Sequence, residues 1–433
     1  MKLPFILFAV LVTLVCLGSA STRADGLAPI DIGGDNDGTY LTGQAEVSVV
    51  GSGIWTPLDR DGIERGFTDD NFLLRFSLTN SADRSRTYVL SHDIAFLDRL
   101  RVSVESSSGG RSDTVLGNDL PFEARQVEYP GLAYRGTLAP GERALVTVGI
   151  EMFDPQPMTL ALRLWDAHSF ERHAVSYSVE FAVIATILIT MAVTWAIFAL
   201  AMQRWQLLLY SGYLGFSGCL ILGFYGLAYQ FLFWDAVAAH HVGFQPMALL
   251  AFGFAALFAV AHLELPRRMP RIAKITRLIG CTLLVLGLIA LLGLPKAITI
   301  PCSMVALLVP FWIMVISILI AWRYRDLSTA LFALAWSIVG LTGISVFLLV
   351  GFDALPIDWT AAQTYQALSL VTLVEVLILT LSVAFSVRNL QNERDQAAVE
   401  SRIDPLTRLL NRRGLEAMAS AVMGLEARDT WWV

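Results

Sequence analysis

The sequence predicts a multidomain membrane protein, in which an all-β, jelly-roll-like extracytoplasmic domain precedes a seven-helix α bundle and a cytoplasmic helical stalk. Three observations carry this. Of 433 residues, 55% are hydrophobic and only 16% are charged, whereas a soluble globular domain is nearer half apolar and a quarter charged. Charge is also segregated along the chain. Residues 25–173 hold 23 Asp and Glu against 13 Arg and no Lys, a net of −10, while residues 174–387 carry +2 and residues 388–433 are neutral. Finally, apolar residues fall at alternate positions in the first of these regions and in long continuous runs in the second. An ordinary soluble enzyme is excluded, and membrane lipid rather than nucleic acid is the expected environment.

Residues 1–24 read as a signal peptide: Lys2 supplies a positive start, Leu3–Leu17 an apolar core, and Gly18-Ser19-Ala20 or Thr22-Arg23-Ala24 a small-residue cleavage pattern. A retained anchor is the alternative. Cys16 lacks the small residues that precede a lipidated cysteine. Cys219, Cys281 and Cys302 fall in apolar runs, and residues 25–173 contain none, so the exported domain is not a disulfide scaffold.

That domain, residues 25–173, reads as β. Phe72, Leu74, Phe76 and Leu78 alternate with polar or outward positions, as do Leu100, Val102 and Val104. Val146, Val148, Ile150 and Met152 repeat the pattern after Pro140-Gly141, and Leu160, Leu162 and Leu164 repeat it after Pro155-Gln156-Pro157. A period of two places one face in a core and the other in water, and short strands with frequent turn residues predict a sandwich.

Four segments here, Phe72-Leu73-Leu74-Arg75-Phe76, Gly117-Asn118-Asp119-Leu120-Pro121-Phe122, Leu138-Ala139-Pro140-Gly141-Glu142 and Leu162-Arg163-Leu164-Trp165-Asp166, resemble the type-2 extracellular sensory module of the 7TMR-DISM receptors. The resemblance implies an extracytoplasmic small-molecule ligand, with carbohydrate among the ligands proposed for such modules. A sugar site needs aromatic faces and polar groups to orient hydroxyls, and Trp55, Tyr88, Tyr129, Tyr134 and Trp165 are the candidates. Aromatic residues beside alternating strands serve equally as core. The acidic surplus reads as a solvated surface that would disfavour anionic ligands.

Seven apolar runs follow, long enough to cross about 30 Å of hydrocarbon: residues 178–202, 207–233, 242–263, 278–294, 298–322, 330–352 and 367–387. An odd number puts the two soluble ends on opposite sides. With the β domain outside, the inner loops hold Arg204, Arg267, Arg268, Arg271, Lys274, Arg277, Arg323 and Arg325, against Lys296 alone in the outer loops. The positive-inside rule and the leader therefore agree on an exported N-terminal domain and a cytoplasmic C-terminus; a bacterial inner membrane, with that domain in the periplasm, is what the receptor resemblance implies. Glu180 and Glu375 are the carboxylates within these runs. Glu375, deep in the last, is a functional candidate because a buried acid in lipid is costly unless paired; helix registry through a hydroxyl partner is the other reading. Gly212, Gly215, Gly218, Gly223 and Gly226 suit close helix packing. A transporter would show more polar interruptions and two similar halves.

Residues 388–403 are charge-dense and free of Pro and Gly, which predicts a helix continuing the last span, as either a solvated linker or a dimeric signalling stalk. Next comes Asp404-Pro405-Leu406-Thr407-Arg408-Leu409-Leu410-Asn411-Arg412-Arg413. Asp404 and Pro405 stop the stalk, and Asn411 can cap a new amphipathic helix. This run is similar to the start of a GGDEF diguanylate cyclase domain, an α/β fold whose first helix would fall within residues 404–433, with Arg408 where that family prefers Gly. Asp404, Leu406, Thr407, Asn411, Arg412 and Arg413 would join stalk to output domain; no catalytic or metal-binding role falls on them. In the complete family domain, two GTP molecules and Mg²⁺ on two subunits give cyclic di-GMP. No G-G-[DE]-E-F run occurs here, so this chain itself is expected to need no cofactor, to lack cyclase activity and to be a truncated or interrupted form of a longer receptor. The resemblance implies a homodimeric sensor controlling cyclic di-GMP synthesis. The rival is a non-enzymatic receptor that signals through a partner protein or by heterodimerisation.

Overall fold

A computed structural model of the chain describes residues 28–58, 62–233, 243–352 and 361–400, with residues 411, 415, 418 and 419 beyond them. The leader 1–24 lies outside the described residues, as do Asp404, Leu406, Thr407, Arg412 and Arg413 of the 404–413 motif. The predicted fold class holds: a β-sheet domain is followed by seven helices long and apolar enough to cross a membrane.

The β domain packs two main sheets face to face. The first contains β1 (Ile30–Asp31), β3 (Ala45–Val49), β4 (Thr56–Pro57), β6 (Phe72–Thr79), β8 (Arg99–Ser106), β9 (Arg111–Gly117) and β11 (Arg143–Glu151), in the order β4-β3-β6-β11-β8-β9 with β1 parallel to β6. The second holds β2 (Asp37–Tyr40), β7 (Arg86–His92), β10 (Leu132–Leu138) and β13 (Arg163–Asp166), ordered β10-β7-β13-β2. Alternation sets the register. Phe72, Leu74 and Phe76 of β6 oppose Ile150, Val148 and Val146 of β11, which in turn oppose Leu100, Val102 and Val104 of β8. These side chains meet Leu90, Leu132, Tyr134 and Leu164 of the second sheet in one core.

One segment departs from the sequence pattern. Leu160, Leu162 and Leu164 are all buried, but they do not share a strand: β12 (Gln156–Leu160) pairs with β5 (Ile63–Thr68) in a separate two-stranded sheet, and the chain then crosses to β13. Alternation of buried side chains survives a change of sheet, so the pattern alone does not reveal the crossing.

The helices are α1 (Ala167–Ala201), α2 (Trp205–Phe224), the short α3 (Leu227–Phe231), α4 (Gln245–His262), the short α5 (Leu265–Arg268), α6 (Pro270–Leu291), α7 (Lys296–Ala306) continued by α8 (Leu308–Tyr324), α9 (Leu327–Phe352) and α10 (Ala361–Glu400). Neighbours run α6-α4-α2-α1 on one side and α8-α9-α10 on the other, with α10 returning to α1. On α1, Val175, Val179, Val183 and Ile187 form an exposed apolar stripe at helical spacing, as a lipid-facing surface requires. At the α4–α6 crossing, a Cβ on Gly253 would lie 3.1 Å from the Gly280 carbonyl oxygen, and the reverse also holds, so backbone contact there needs both glycines.

The β domain is joined to the bundle without a linker. Asp166 ends β13 and caps α1, its Oδ1 accepting from the His168 and Ser169 amides at 3.0 and 3.1 Å. With 35 residues, α1 is about 52 Å long at 1.5 Å per residue, so its first turns stand clear of a 30 Å hydrocarbon layer and lie against the sheet. Val89, Tyr129, Ala133 and Trp165 of the β domain consequently share a core with Phe170, Tyr177 and Phe181 of α1. A second tie is Lys296, at the start of α7, whose Nζ lies 3.2 Å from Asp98 Oδ1. A third is Gly226, with φ of +78°, where any Cβ would overlap the Pro130 carbonyl oxygen.

Candidate functional site

A cluster of polar side chains lies where β domain and bundle meet, around Asp93. This residue follows β7, and its side chain is 14% exposed. Its Oδ1 accepts from the Tyr129 hydroxyl at 2.8 Å and lies 3.2 Å from His173 Nε2; its Oδ2 lies 3.4 Å from Arg163 Nη1. Its backbone carbonyl accepts from the Tyr177 hydroxyl. Strand β13 supplies Arg163, and α1 supplies His173 and Tyr177 one turn apart on one face.

Burial alone would raise the Asp93 pKa, but the His173 hydrogen bond, the His173 and Arg163 charges and the Tyr129 hydroxyl hold it below the ordinary carboxylate range. The same surroundings push Tyr129 well above the usual phenol value, through burial first and the Asp93 charge second. His173 also stacks on Trp165, with centroids 4.4 Å apart and planes at 21°, and Trp165 Nε1 donates to Ser91 Oγ at 2.9 Å. Nearby, Arg125 Nη1 donates to the carbonyls of Tyr129, Pro130 and Gly131. Its burial lowers the guanidinium pKa to about 10.

This cluster lines a cavity of about 240 Å³ that also reaches α10. Gln366 Nε2, at the β-domain end of α10, donates to Glu180 of α1 at 3.0 and 3.2 Å. Phe181 stacks on Tyr225 with centroids 3.4 Å apart, and the Tyr225 and Ser369 hydroxyls are hydrogen-bonded at 2.7 Å. The β domain, α1 and α10 therefore border one polar space.

Deeper in the bundle, α10 is held by further polar contacts. Tyr213 of α2 donates to Glu375 Oε2 at 3.0 Å, with Glu375 fully buried and its Oε1 without a hydrogen-bond partner among the described residues. The Tyr210 and Thr380 hydroxyls lie 3.1 Å apart. Ser382 Oγ donates to the Ser328 carbonyl of α9 at 2.7 Å and lies 3.0 Å from His262 Nε2 of α4. Positions 366, 369, 375, 380 and 382 thus link α10 in turn to α1, α2, α4 and α9.

The aromatic candidates separate in space. Tyr88 and Tyr134, with centroids 6.3 Å apart, are buried between the main sheets. Trp55 is half-buried under the Arg75 guanidinium, 4.0 Å from its ring centroid. Tyr129 and Trp165 are brought together by the junction, both against Phe170 and His173. Of the motif after the stalk, Asn411 lies within the described residues. Sequence reasoning missed Asp93 and His173 altogether. The available signal was faint: Arg163 and Trp165 share the Leu162–Asp166 segment, and His173 and Tyr177 sit at helical spacing before an apolar run. Among the described residues, no group of three or more His, Cys, Asp and Glu side chains is placed to hold a metal ion.

Comparison with known families agrees with this architecture. A model described as 7TMR-DISM extracellular 2 matches residues 34–166, and one described as 7TM diverse intracellular signalling matches residues 177–385. No curated protein and no solved structure matches the chain.

Proposed function

We propose, on the premise that the chain belongs to the 7TMR-DISM family of membrane receptors with an extracellular sensory domain, that it converts a small extracytoplasmic ligand into a displacement of its last helix. The observation that carries the reading is that α10 borders the β-domain junction at one end, through Gln366 and Glu180, and extends unbroken to Glu400 at the other. Ligand-induced movement of the β domain reaches α1 rigidly, because β13 passes directly into it, and reaches α10 across the Asp93 cavity. Two arrangements of such a packed network differ in population with ligand, as a receptor requires.

The cell setting follows the same reading. The chain lies in a bacterial inner membrane with the β domain in the periplasm, and it acts as a homodimer whose paired α10 extensions control cyclic di-GMP synthesis by a cytoplasmic diguanylate cyclase domain. The direct test uses full-length protein in lipid nanodiscs, with spin labels on Asn392→Cys and a panel of sugars and small neutral metabolites. A ligand that raises the melting temperature and shifts the inter-label distance supports the reading. Thermal stabilisation with no distance change in any case overturns coupling through α10. Cellular cyclic di-GMP that follows such a ligand supports the cyclase output, and an unchanged level favours signalling through a non-enzymatic partner.

A further inference from the structure

At the end of the bundle opposite Lys296, α5 and α6 carry Arg267, Arg268, Arg271, Lys274 and Arg277 within 11 residues. Two of these are engaged. Arg268 pairs with Asp326 at 3.6 Å, and Arg267 with Glu264 at 3.7 Å. Arg271, Lys274 and Arg277, all on α6, are exposed, and among the described residues they have no hydrogen-bond or ion-pair partner.

Helix α6 stands at the edge of the bundle, packed chiefly on α4. Its buried residues Thr276, Gly280, Leu283 and Gly287 recur at steps of three and four, and Trp312 of α8 donates to Thr276 Oγ1 at 3.1 Å, which fixes the rotation of the helix at the level of the basic residues. On the opposite face, Leu278, Val285 and Leu288 are exposed, as lipid contact requires. Helical phase puts Arg271 and Lys274 on this same face and Arg277 at its margin. The apolar part is short. From Leu278 to Leu291 the helix rises only about 20 Å, against about 30 Å of hydrocarbon, so the turns that carry the basic residues are needed to complete the crossing. Cations at that depth are costly unless paired, and the phosphate groups of lipid are the anions found there.

We propose that the outward face of α6 is a binding site for an anionic phospholipid, with the lipid phosphate on Arg271, Lys274 and Arg277 and an acyl chain along Leu278, Val285 and Leu288. Each guanidinium can give a phosphate two parallel N–H donors, and the ammonium adds a point charge. Three cations that no carboxylate among the described residues neutralises favour a net-negative headgroup over a zwitterionic one, which brings a cation of its own. The site lies at the far end of the bundle from the Asp93 cavity and does not depend on what the β domain binds.

The test titrates the purified full chain in detergent with phosphatidylglycerol or phosphatidylcholine of the same acyl chains, read by native mass spectrometry and by melting temperature. Phosphatidylglycerol should bind saturably and raise the melting temperature, and phosphatidylcholine should do neither. The triple variant Arg271→Gln, Lys274→Gln, Arg277→Gln, checked for folding by its melting curve without lipid, should bind phosphatidylglycerol at least about tenfold more weakly. A charge-matched control, Arg204→Gln, Arg323→Gln, Arg325→Gln, should bind as wild type does, whereas a general attraction to basic inner loops would weaken both variants alike. Inorganic phosphate should not displace the lipid. Equal binding of the two lipids by wild type, equal loss in the two triple variants, or displacement by inorganic phosphate overturns the proposal.

Discussion

Single charged groups hold the β domain onto the bundle. Lys296 is the one Lys or Arg in the outer loops between the apolar runs, and its ammonium pairs with Asp98, which is 3% exposed and also accepts from the Phe153 amide and Gln156. Removing one partner of a buried pair leaves the other charge unpaired. Lys296→Met should therefore destabilise the docked state by on the order of 3 kcal/mol, and adding Asp98→Asn should recover part of that loss, both read from melting curves of the full chain. Asp93 makes a second prediction, set by pH. Its folded pKa lies below its unfolded value, so its contribution is fully present above about pH 4 and is lost as pH falls through the folded value. Asp93→Asn should accordingly melt lower at neutral pH and show a shallower fall of stability below about pH 4. The slope should not vanish, because Asp31, Asp113, Asp166 and Glu142 are also held low by their hydrogen bonds.

Among the elements, α10 is distinguished by how it is held. A helix packed only through apolar contacts slides or turns at little cost in polar satisfaction, whereas one tied through Gln366, Ser369, Glu375, Thr380 and Ser382 has a defined register that can be exchanged for another. Tyr213→Phe removes the donor to Glu375 and should cost about 1–3 kcal/mol in a detergent melting experiment. The pair Tyr213→Phe with Glu375→Leu should be more stable than Tyr213→Phe alone, because no buried acceptor then remains unmatched. Were the single and double variants equally destabilised, the Tyr213–Glu375 bond would not be what holds this part of the helix. The strand-to-helix joint at Asp166 and Ala167 is the other informative element: a capped helix that starts at the last residue of a strand transmits rotation of the sheet, with no flexible linker to absorb it.

For the whole molecule, seven spans place the β domain and the end of α10 on opposite faces of the bilayer. In a cysteine-free background that replaces Cys219, Cys281 and Cys302 among others, Ile54→Cys, at a site 68% exposed on the β domain, should react with an impermeant maleimide in intact spheroplasts. Asn392→Cys should react only after permeabilisation. Labelling of Asn392→Cys from outside would reverse the proposed orientation. The basic residues at the far end of the bundle are consistent with it, and one of them is structural: Arg268 pairs with Asp326 and lies over the Tyr324 ring, 4.4 Å from its centroid.

The sequence by itself determined the two materials of this protein and their order. Alternation in segments such as Phe72–Leu78 required a half-buried sheet, and uninterrupted apolar runs required seven helices in lipid, because both patterns depend on periodicity within a few residues. It also singled out Glu375, since a carboxylate in an apolar run stands out locally. Only the tertiary structure decided who meets whom. Asp93 gathers Tyr129, Arg163 and His173 from separate elements; Gln366 finds Glu180 across 186 positions of chain; and the Leu160–Leu164 alternation conceals a change of sheet. Polar pairing has no period: each partner is an ordinary residue in its own neighbourhood, and the pair exists only once packing has brought two distant segments within 3 Å or so of each other.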